Sequence, residues 1–145
     1  MSSIANVPAS GPCIVVANHP HGSIDGVAMI EVLMRRRPDL RVVANYLLSS
    51  FIELDPIFIG VNPFGGREAA RANVSAVRQA LAWLREGGLL MMFPGGEVSS
   101  FNLRSRTISD PPWDSGIGWL VEKSGAPVVP AFIDGRNSLG FQAAG

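Results

Sequence analysis

The sequence has few of the residues that mark several common classes of protein. Its single cysteine, Cys13, can form neither an internal disulfide nor a thiolate cluster, and we expect a buried thiol there. The 12 Lys and Arg residues are balanced by 12 Asp and Glu residues, which argues against a dedicated nucleic-acid binder. The chain shows neither the roughly 18 consecutive apolar residues of a membrane-spanning helix nor the pattern of an export signal.

Several catalytic and binding signatures are also absent. The nucleotide-site patterns G-x-x-x-x-G-K-[ST] and G-x-G-x-x-G do not occur, and neither does the G-x-S-x-G pattern of serine hydrolases. The chain has only 2 histidines, too few for a di-metal hydrolase site. What the sequence does have is 47% hydrophobic against 17% charged residues, a composition typical of a packed globular domain.

Apolar runs alternate along the chain with segments of helical periodicity, and clusters of turn-forming residues separate them. This alternation predicts an α/β fold with a mostly parallel sheet flanked by helices. Residues 46–55 are left unassigned, and residues 98–114 are predicted to be a surface loop. The predicted strands are residues 13–17, 41–44, 56–61, 89–93 and 127–133, and the predicted helices are residues 25–37, 68–86 and 115–123.

Most of the unusual chemistry lies in three loops that follow predicted strands. Residues 18–26 follow the first strand, residues 65–67 the third, and residues 95–97 the fourth. In open α/β sheets, ligands bind beyond the carboxyl ends of the strands. We therefore expect these three loops to converge on one site.

His19 and Asp25 are the candidate catalytic pair in the first loop. A neutral imidazole accepts a proton near neutral pH, and a carboxylate that orients its far nitrogen stabilises the imidazolium. No protein nucleophile is needed if a substrate hydroxyl attacks, although Ser23 is a second candidate nucleophile. In a purely structural alternative, His19 and Asp25 cap a turn and a helix. A third alternative adds His21 as part of a metal site, but we expect His21 to shape the pocket or bind substrate.

The second and third loops offer candidate substrate contacts. Gly65 and Gly66 permit close backbone approach, and Arg67 opens a helix whose free N–H groups suit a phosphate or carboxylate. The alternative for Arg67 is a solvated arginine in the first turn of the helix. Residues 95–97, Gly-Gly-Glu, place a carboxylate beside a ligand or form only a tight turn.

Taken in order, four blocks resemble the glycerophospholipid acyltransferase family, to which the lysophosphatidic acid acyltransferases belong. Residues 18–26 resemble its Asn-His…Asp catalytic block, and residues 58–67 are similar to the block whose arginine binds the acceptor's phosphate. Residues 93–99 resemble its Phe-Pro-Glu-Gly-Thr-Arg block, and residues 128–131 its late Val-Pro block. The order and spacing of the blocks make the match specific.

Two departures from the family pattern bear on the acceptor. Five residues separate His19 from Asp25 where the family has four, and residues 95–98 read Gly-Gly-Glu-Val where most relatives have Glu-Gly-Thr-Arg. Both departures resemble a bacterial branch with an Asn-His-Pro-x-Gly-x-x-Asp block. The acceptor is therefore left open between lysophosphatidate, a lyso-ornithine lipid and another lysolipid.

The resemblance implies transfer of a fatty acyl group from acyl-CoA or acyl carrier protein to the hydroxyl of a lysolipid, as in a 1-acylglycerol-3-phosphate O-acyltransferase. His19 is then the general base and Asp25 orients it, with no metal or other cofactor. The implied setting is phospholipid biosynthesis at the cytoplasmic face of the membrane, with the protein bound peripherally and no nucleic-acid partner. The implied substrate-binding residues are Asn18, His21, Gly22, Gly65, Gly66, Arg67, Gly95, Gly96 and Glu97.

We expect residues 1–145 to form a single acyltransferase-like domain that is cut short at its C-terminus, with truncation at the N-terminus left open. Two competing functions remain. One is a thioester or lipid hydrolase that uses the same site, and the other is a non-catalytic module that binds a lipid or an acyl carrier.

Overall fold

The computed structural model describes residues 3–45, 56–62, 67–102, 106–113 and 116–137. A short 3₁₀ helix, Ser3–Asn6, precedes the first strand. The strands in these ranges are β1 (Cys13–Ala17), β2 (Leu40–Asn45), β3 (Phe58–Val61), β4 (Leu89–Met92), β5 (Ser100–Asn102), β6 (Thr107–Ser109) and β7 (Val128–Ala131). The α-helices are α1 (Ser23–Arg36), α2 (Arg67–Arg85) and α3 (Gly116–Ser124).

Five of the strands form one parallel sheet in the order β3-β2-β4-β1-β7. The register places Val15 of β1 opposite Met91 of β4 on one side and Val129 of β7 on the other. Parallel strands need long crossover connections, which are usually helical, and α1 supplies the one between β1 and β2 and α2 the one between β3 and β4. The predicted α/β fold with a mostly parallel sheet is confirmed.

Strand β1 has a core on both of its faces, which explains its continuous apolar sequence. Its alternate residues Cys13, Val15 and Ala17 belong to a cluster that includes Met29 and Leu33 of α1. The residues between them, Ile14 and Val16, belong to the cluster on the opposite face of the sheet. Helices α2 and α3 cover this cluster with Ala76, Ala80, Leu84 and Leu120. The thiol of Cys13 is buried as expected, and burial raises its pKa.

The region predicted as a surface loop, residues 98–114, is different in the structure. It contains β5 and β6, which pair antiparallel with Ser100 opposite Ser109. Each of these strands has only three residues, so no period-2 pattern is long enough to reveal them in the sequence. The prediction of a loop is therefore wrong for these two strands.

Element boundaries also differ by a few residues. Helix α1 begins at Ser23 rather than Asp25, because Gly22 makes the preceding turn with a φ of 74° that suits glycine. Strand β3 begins at Phe58 instead of residue 56, and β7 is shorter at both ends than predicted. The unassigned residues 46–55 lie outside the described ranges.

Candidate functional site

The loops that follow β1 and β4 meet beyond the carboxyl ends of these strands. The N–H of Ser99, in the loop after β4, donates to the carbonyl of His19 at 2.9 Å. The loop after β7 joins them through Asn18, whose amide nitrogen donates to the carbonyl of Ile133 at 2.8 Å. The Asn18 amide oxygen accepts from the N–H of Ile133 at 2.7 Å. The sequence predicted the first contact between loops but not the participation of the β7 loop.

Asp25 lies beneath His19 in the first turn of α1. Its Oδ2 is 3.2 Å from His19 Nδ1, and Asp25 is only 2% exposed. The same oxygen accepts from the backbone N–H of His21 at 2.7 Å, and the Asp25 N–H donates to Gly22 O at 2.9 Å. A tight turn around Gly22 therefore brings a buried carboxylate back onto the histidine, and the predicted pair is together in space.

The surroundings of the His19 ring favour its neutral form. It stacks on Phe93 with ring centroids 4.0 Å apart and an interplanar angle of 23°. Burial lowers the pKa of His19, although the nearby carboxylates of Asp25 and Asp110 act in the opposite direction. The net lowered pKa keeps the imidazole neutral at neutral pH, which is the form that accepts a proton.

The Asp25 contact faces Nδ1, so the opposite nitrogen, Nε2, is the one available to a substrate. Nδ1 lies within ion-pair distance of Asp25 but is poorly aligned for a hydrogen bond, and it has no other partner among the described residues. Catalytic hydrogen bonds are often loose before substrate binds and tighten in the complex. This geometry therefore suits Asp25 as the group that orients the ring.

Asp110 and Ser99 complete the surroundings of His19, and sequence analysis missed both. Asp110 Oδ1 accepts from the backbone N–H of His19 at 3.2 Å and from the Ser99 hydroxyl. Asp110 lies directly after β6, in the region predicted to be a featureless loop. The only signal in the sequence is an acidic residue before Pro111-Pro112, which does not by itself indicate a site.

The Gly-Gly-Glu segment of residues 95–97 contributes shape rather than charge. A Cβ on Gly95 would lie 3.2 Å from the Cβ of Asp110, so glycine permits the two segments to approach closely. Gly96 has a φ of 71°, and its N–H donates to Phe93 O at 3.0 Å. The side chain of Glu97 is exposed. The tight turn is thus present, and a substrate contact by Glu97 stays a prediction.

His21 contacts the loop after β7. Its Nε2 is 3.3 Å from the carbonyl oxygen of Asp134, and a Cβ on Gly135 would lie 2.5 Å from that nitrogen. The ring therefore helps to join two loops that border the site. Within the described part of the chain, no group of three or more His, Cys, Asp and Glu side chains is arranged to hold a metal ion.

Arg67, the described residue of the second predicted loop, follows the edge strand β3 in the chain. Arg67 is the exposed first residue of α2, and Gly65 and Gly66 lie outside the described residues. Strand β3 is three strands from β1, roughly 14 Å at the usual strand spacing. Asn73 of α2 holds the end of β3 through bonds of 2.7 and 3.0 Å to the backbone of Asn62. The structure does not bring Arg67 into contact with His19.

A family model described as acyltransferase matches residues 2–144, nearly the whole chain. The chain belongs to the acyltransferase family. The resemblance inferred from the four sequence blocks is thus confirmed at the level of the family. None of the helices in the described ranges is both long and apolar enough to cross a bilayer.

Two curated relatives of the chain are named lyso-glycine lipid O-acyltransferase. The protein from Phocaeicola vulgatus is 28% identical over 139 residues, which are 95% of this chain and 47% of the relative. The protein from Bacteroides thetaiotaomicron is also 28% identical over 139 residues and is covered to 48%. The chain thus spans about half the length of the curated relatives it matches.

An apolar surface lies along the outer side of α1, the helix that holds Asp25 in its first turn. Ile24 is 71% exposed and Val27 is 63% exposed. Together with Ser23, Ala28 and Glu31 they line a shallow depression whose surface is almost entirely apolar. The depression begins in the first turn of α1, the turn that also holds Asp25, and it lies on the exposed side of the helix.

Proposed function

We propose that the protein transfers a fatty acyl group from a thioester, acyl-CoA or acyl carrier protein, to the hydroxyl of a lysolipid. The observation that carries the proposal is the pairing of His19 with the buried carboxylate of Asp25, 3.2 Å apart, at the carboxyl end of β1 in a chain of the acyltransferase family. The pair supplies a neutral base with an orienting carboxylate. Nothing more is required of the protein when the substrate provides its own nucleophile.

In the proposed reaction, Nε2 of His19 removes the proton of the lipid hydroxyl while its oxygen attacks the thioester carbonyl. The tetrahedral intermediate then collapses, the carbon–sulfur bond breaks, and the proton passes from His19 to the leaving thiolate. Asp25 stabilises the imidazolium in between. The first-turn N–H groups of α1, which Gly22 cannot cap with a side chain, are candidate donors to the oxyanion.

The fatty acyl chain is proposed to lie along the apolar side of α1. This surface starts in the turn of α1 that also holds Asp25, and it presents Ile24 and Val27 to solvent. Covering exposed aliphatic side chains with a hydrocarbon chain is favourable because it removes apolar area from water. A peripheral position at the cytoplasmic face of the membrane, where lysolipids are accessible, is part of the same proposal.

The acceptor is proposed to be a lysolipid with an amino-acid head group. Two relatives are named for a lyso-glycine lipid, and a lyso-ornithine lipid has the same kind of head group with an added amine. Arg67 is exposed at the start of α2, after the edge strand β3 and roughly 14 Å across the sheet from β1 at the usual strand spacing, and its guanidinium can bind a carboxylate of the head group away from the reacting hydroxyl. A phosphate in the same place is the alternative.

The test is an acyl-transfer assay with the full-length protein. Labelled long-chain acyl-CoA and acyl carrier protein are each offered with lysophosphatidate, lyso-glycine lipid and lyso-ornithine lipid. We expect a doubly acylated product, its loss in His19→Ala, and wild-type rates in Glu122→Gln, which removes one exposed charge on α3.

Two results would contradict the proposal. If free fatty acid is released and no acyl group is transferred with any of the three acceptors, the protein is a hydrolase. Binding of a lysolipid or acyl carrier without turnover of any donor would indicate a non-catalytic module. Circular dichroism of His19→Ala shows whether that variant is folded, so that a loss of activity can be assigned to the base.

A further inference from the structure

A second carboxylate, Asp110, binds the backbone of His19, whereas Asp25 contacts the His19 ring. Asp110 Oδ1 accepts from the His19 N–H at 3.2 Å and from the Ser99 hydroxyl. Ser99 in turn donates its N–H to the His19 carbonyl at 2.9 Å. The three residues therefore form a closed ring of hydrogen bonds that fixes both polar groups of the His19 backbone.

The local fold is shaped to bring Asp110 to this place. Residues 100–102 and 107–109 form the β5–β6 ribbon, and Ser99 and Asp110 flank it at its open end. Gly95 permits the approach because any larger side chain would press on Asp110 and Pro111. The ribbon thus ends in a pair of side chains that hold the catalytic loop.

Within the described part of the chain, no cationic side chain pairs with Asp110. Its Oδ2 is buried and has no hydrogen-bond partner among the described residues, and no ion pair joins Asp110 to a described Lys or Arg side chain. Desolvated charge acts over a longer range than charge in water. The carboxylate is therefore free to interact with a positive charge that forms on the His19 ring.

We propose that Asp110 is a positioning residue that holds His19 through its backbone and adds a second negative charge that stabilises the imidazolium during acyl transfer. The proposal rests on the proposed function, in which His19 becomes positively charged. It assigns to the ribbon a role in the active site that neither the sequence blocks nor the family resemblance attributes to it.

The groups that act on the titration of His19 from the surrounding segments are Asp25 on α1 and Asp110 after β6. Both raise the pKa of the ring, against the lowering caused by burial. Removing the charge of Asp110 must therefore lower the pKa further. The base then stays deprotonated to a lower pH, and the acidic limb of kcat/KM moves to lower pH.

The first experiment compares Asp110→Asn with wild type in the full-length protein. The amide keeps the shape and the Oδ1 acceptor but loses the charge. We expect kcat to fall about tenfold and the acidic limb of kcat/KM to move down by on the order of half a pH unit. Glu122→Gln, which removes a carboxylate on exposed α3, is the matched control and should change neither quantity.

The second variant, Ser99→Ala, tests the positioning of the His19 backbone separately from the charge of Asp110. It removes one bond to Asp110 and keeps the carboxylate, so kcat should fall several-fold, about the effect of one hydrogen bond, without a shift of the acidic limb. Hydrogen exchange at the His19 amide should become faster, because the ring of hydrogen bonds is opened. This variant decides the question if Asp110→Asn does not fold.

An NMR titration of the His19 ring distinguishes this proposal from the proposed function, because it needs no turnover. The His19 signal is assigned as the one that disappears in His19→Ala. A lower ring pKa in Asp110→Asn supports the role of the charge even if no tested lipid is acylated. A folded Asp110→Asn with the wild-type ring pKa and kcat overturns it, as does a Ser99→Ala variant with wild-type kcat and amide exchange.

Discussion

At the scale of single residues, His19 is under opposing influences. Burial against Phe93 favours the neutral ring, whereas Asp25 and Asp110 favour the charged ring, and burial has the larger effect. A base needs both influences, because it must be neutral before the reaction and stabilised as a cation during it. Packing around the ring favours the neutral form before the reaction, and the two carboxylates stabilise the cation during it.

The pH dependence follows from this balance. Since the pKa of His19 is lowered from its usual value of about 6.5, activity should be retained down to a pH below that value and lost only as the ring becomes protonated. The check is the pH profile of kcat/KM, which reports the free enzyme. An acidic limb with its midpoint above 6.5 would contradict the prediction.

Replacing Asp25 with asparagine should be far more damaging than its small change in size suggests. The amide can present its nitrogen to His19 Nδ1, which favours the wrong tautomer, and it cannot stabilise the imidazolium. We expect kcat to fall by about 10³-fold or more in acyl-transfer assays. An amide nitrogen on Nδ1 also leaves the His21 N–H without that acceptor, but the side chain keeps its size, so circular dichroism and thermal unfolding should show a folded protein.

A loss of less than about tenfold would show that His19 does not depend on Asp25 for its orientation. The comparison variant is Glu122→Gln, which loses one carboxylate without any contact to the site. Its rate should equal that of wild type. Each variant loses one negative charge, so a difference between their rates reflects where the charge was and not the change in net charge.

The sequence revealed this pair because the chain places His19 and Asp25 around a single turn. Short separation makes the contact local, so a glycine and a predicted helix start were enough to indicate it. Asp110 is 91 residues from His19, and such a contact depends on strand order, which composition and periodicity do not contain. The same reason explains why the bond between Asn18 and Ile133 was not foreseen.

At the scale of elements, α1 has two different sides. Met29 and Leu33 are buried against the sheet, whereas Ile24 and Val27 are exposed beside the site. Helical periodicity in the sequence identified the helix. It did not show that the apolar side of the helix is wider than contact with the core requires. The excess apolar surface is what supports a place for the acyl chain.

Val27→Gln should therefore reduce the use of long acyl chains more than that of short ones. Losing the burial of one valine side chain costs about 1.5 kcal/mol, which is about tenfold in kcat/KM for a long-chain donor. The measurement is a series of acyl-CoA donors of increasing chain length with one acceptor. A short chain that does not reach Val27 should be transferred at the wild-type rate.

Val32→Gln provides the matched control on the same helix. Val32 is 39% exposed but lies about 140° around the helix from Val27, away from the apolar depression. It should leave the chain-length preference unchanged. Equal effects of the two variants would indicate a general loss of stability and would count against the proposed path of the acyl chain.

At the scale of the whole molecule, the parallel sheet explains why the site forms where it does. All five strands end on one side, so loops distant in sequence are neighbours at that edge. The alternation of apolar runs and helical segments was sufficient to predict this architecture. It was not sufficient to show that Arg67 follows the edge strand farthest from β7, because strand order is not encoded in local patterns.

Arg37 joins three distant parts of this fold at the opposite end of the sheet. It is 2% exposed, directly after α1, and forms an ion pair with Asp39. Its guanidinium also donates to the carbonyl of Gly11, before β1, at 2.6 Å and to that of Gly87, before β4, at 2.8 Å. The guanidinium therefore satisfies carbonyl groups that would otherwise lose their hydrogen bonds within the protein.

Arg37→Met should destabilise the protein by about 2 to 4 kcal/mol, because it leaves these carbonyls and Asp39 without their partner. Arg35→Met is the matched control two residues earlier, since Arg35 pairs with Glu31 in solvent and should change stability by less than about 0.5 kcal/mol. Urea unfolding of both variants and of wild type measures the difference.

The stabilisation by Arg37 should also depend on pH. Its hydrogen bond and charge hold the pKa of Asp39 below the usual value, so the carboxylate contributes stability above its unfolded pKa and loses it as the pH falls through the lowered pKa. The difference in unfolding free energy between wild type and Arg37→Met should therefore shrink in acid. It should not vanish, because the carbonyls of Gly11 and Gly87 do not titrate. A difference that is independent of pH would mean that the carbonyls alone, and not Asp39, account for the role of Arg37.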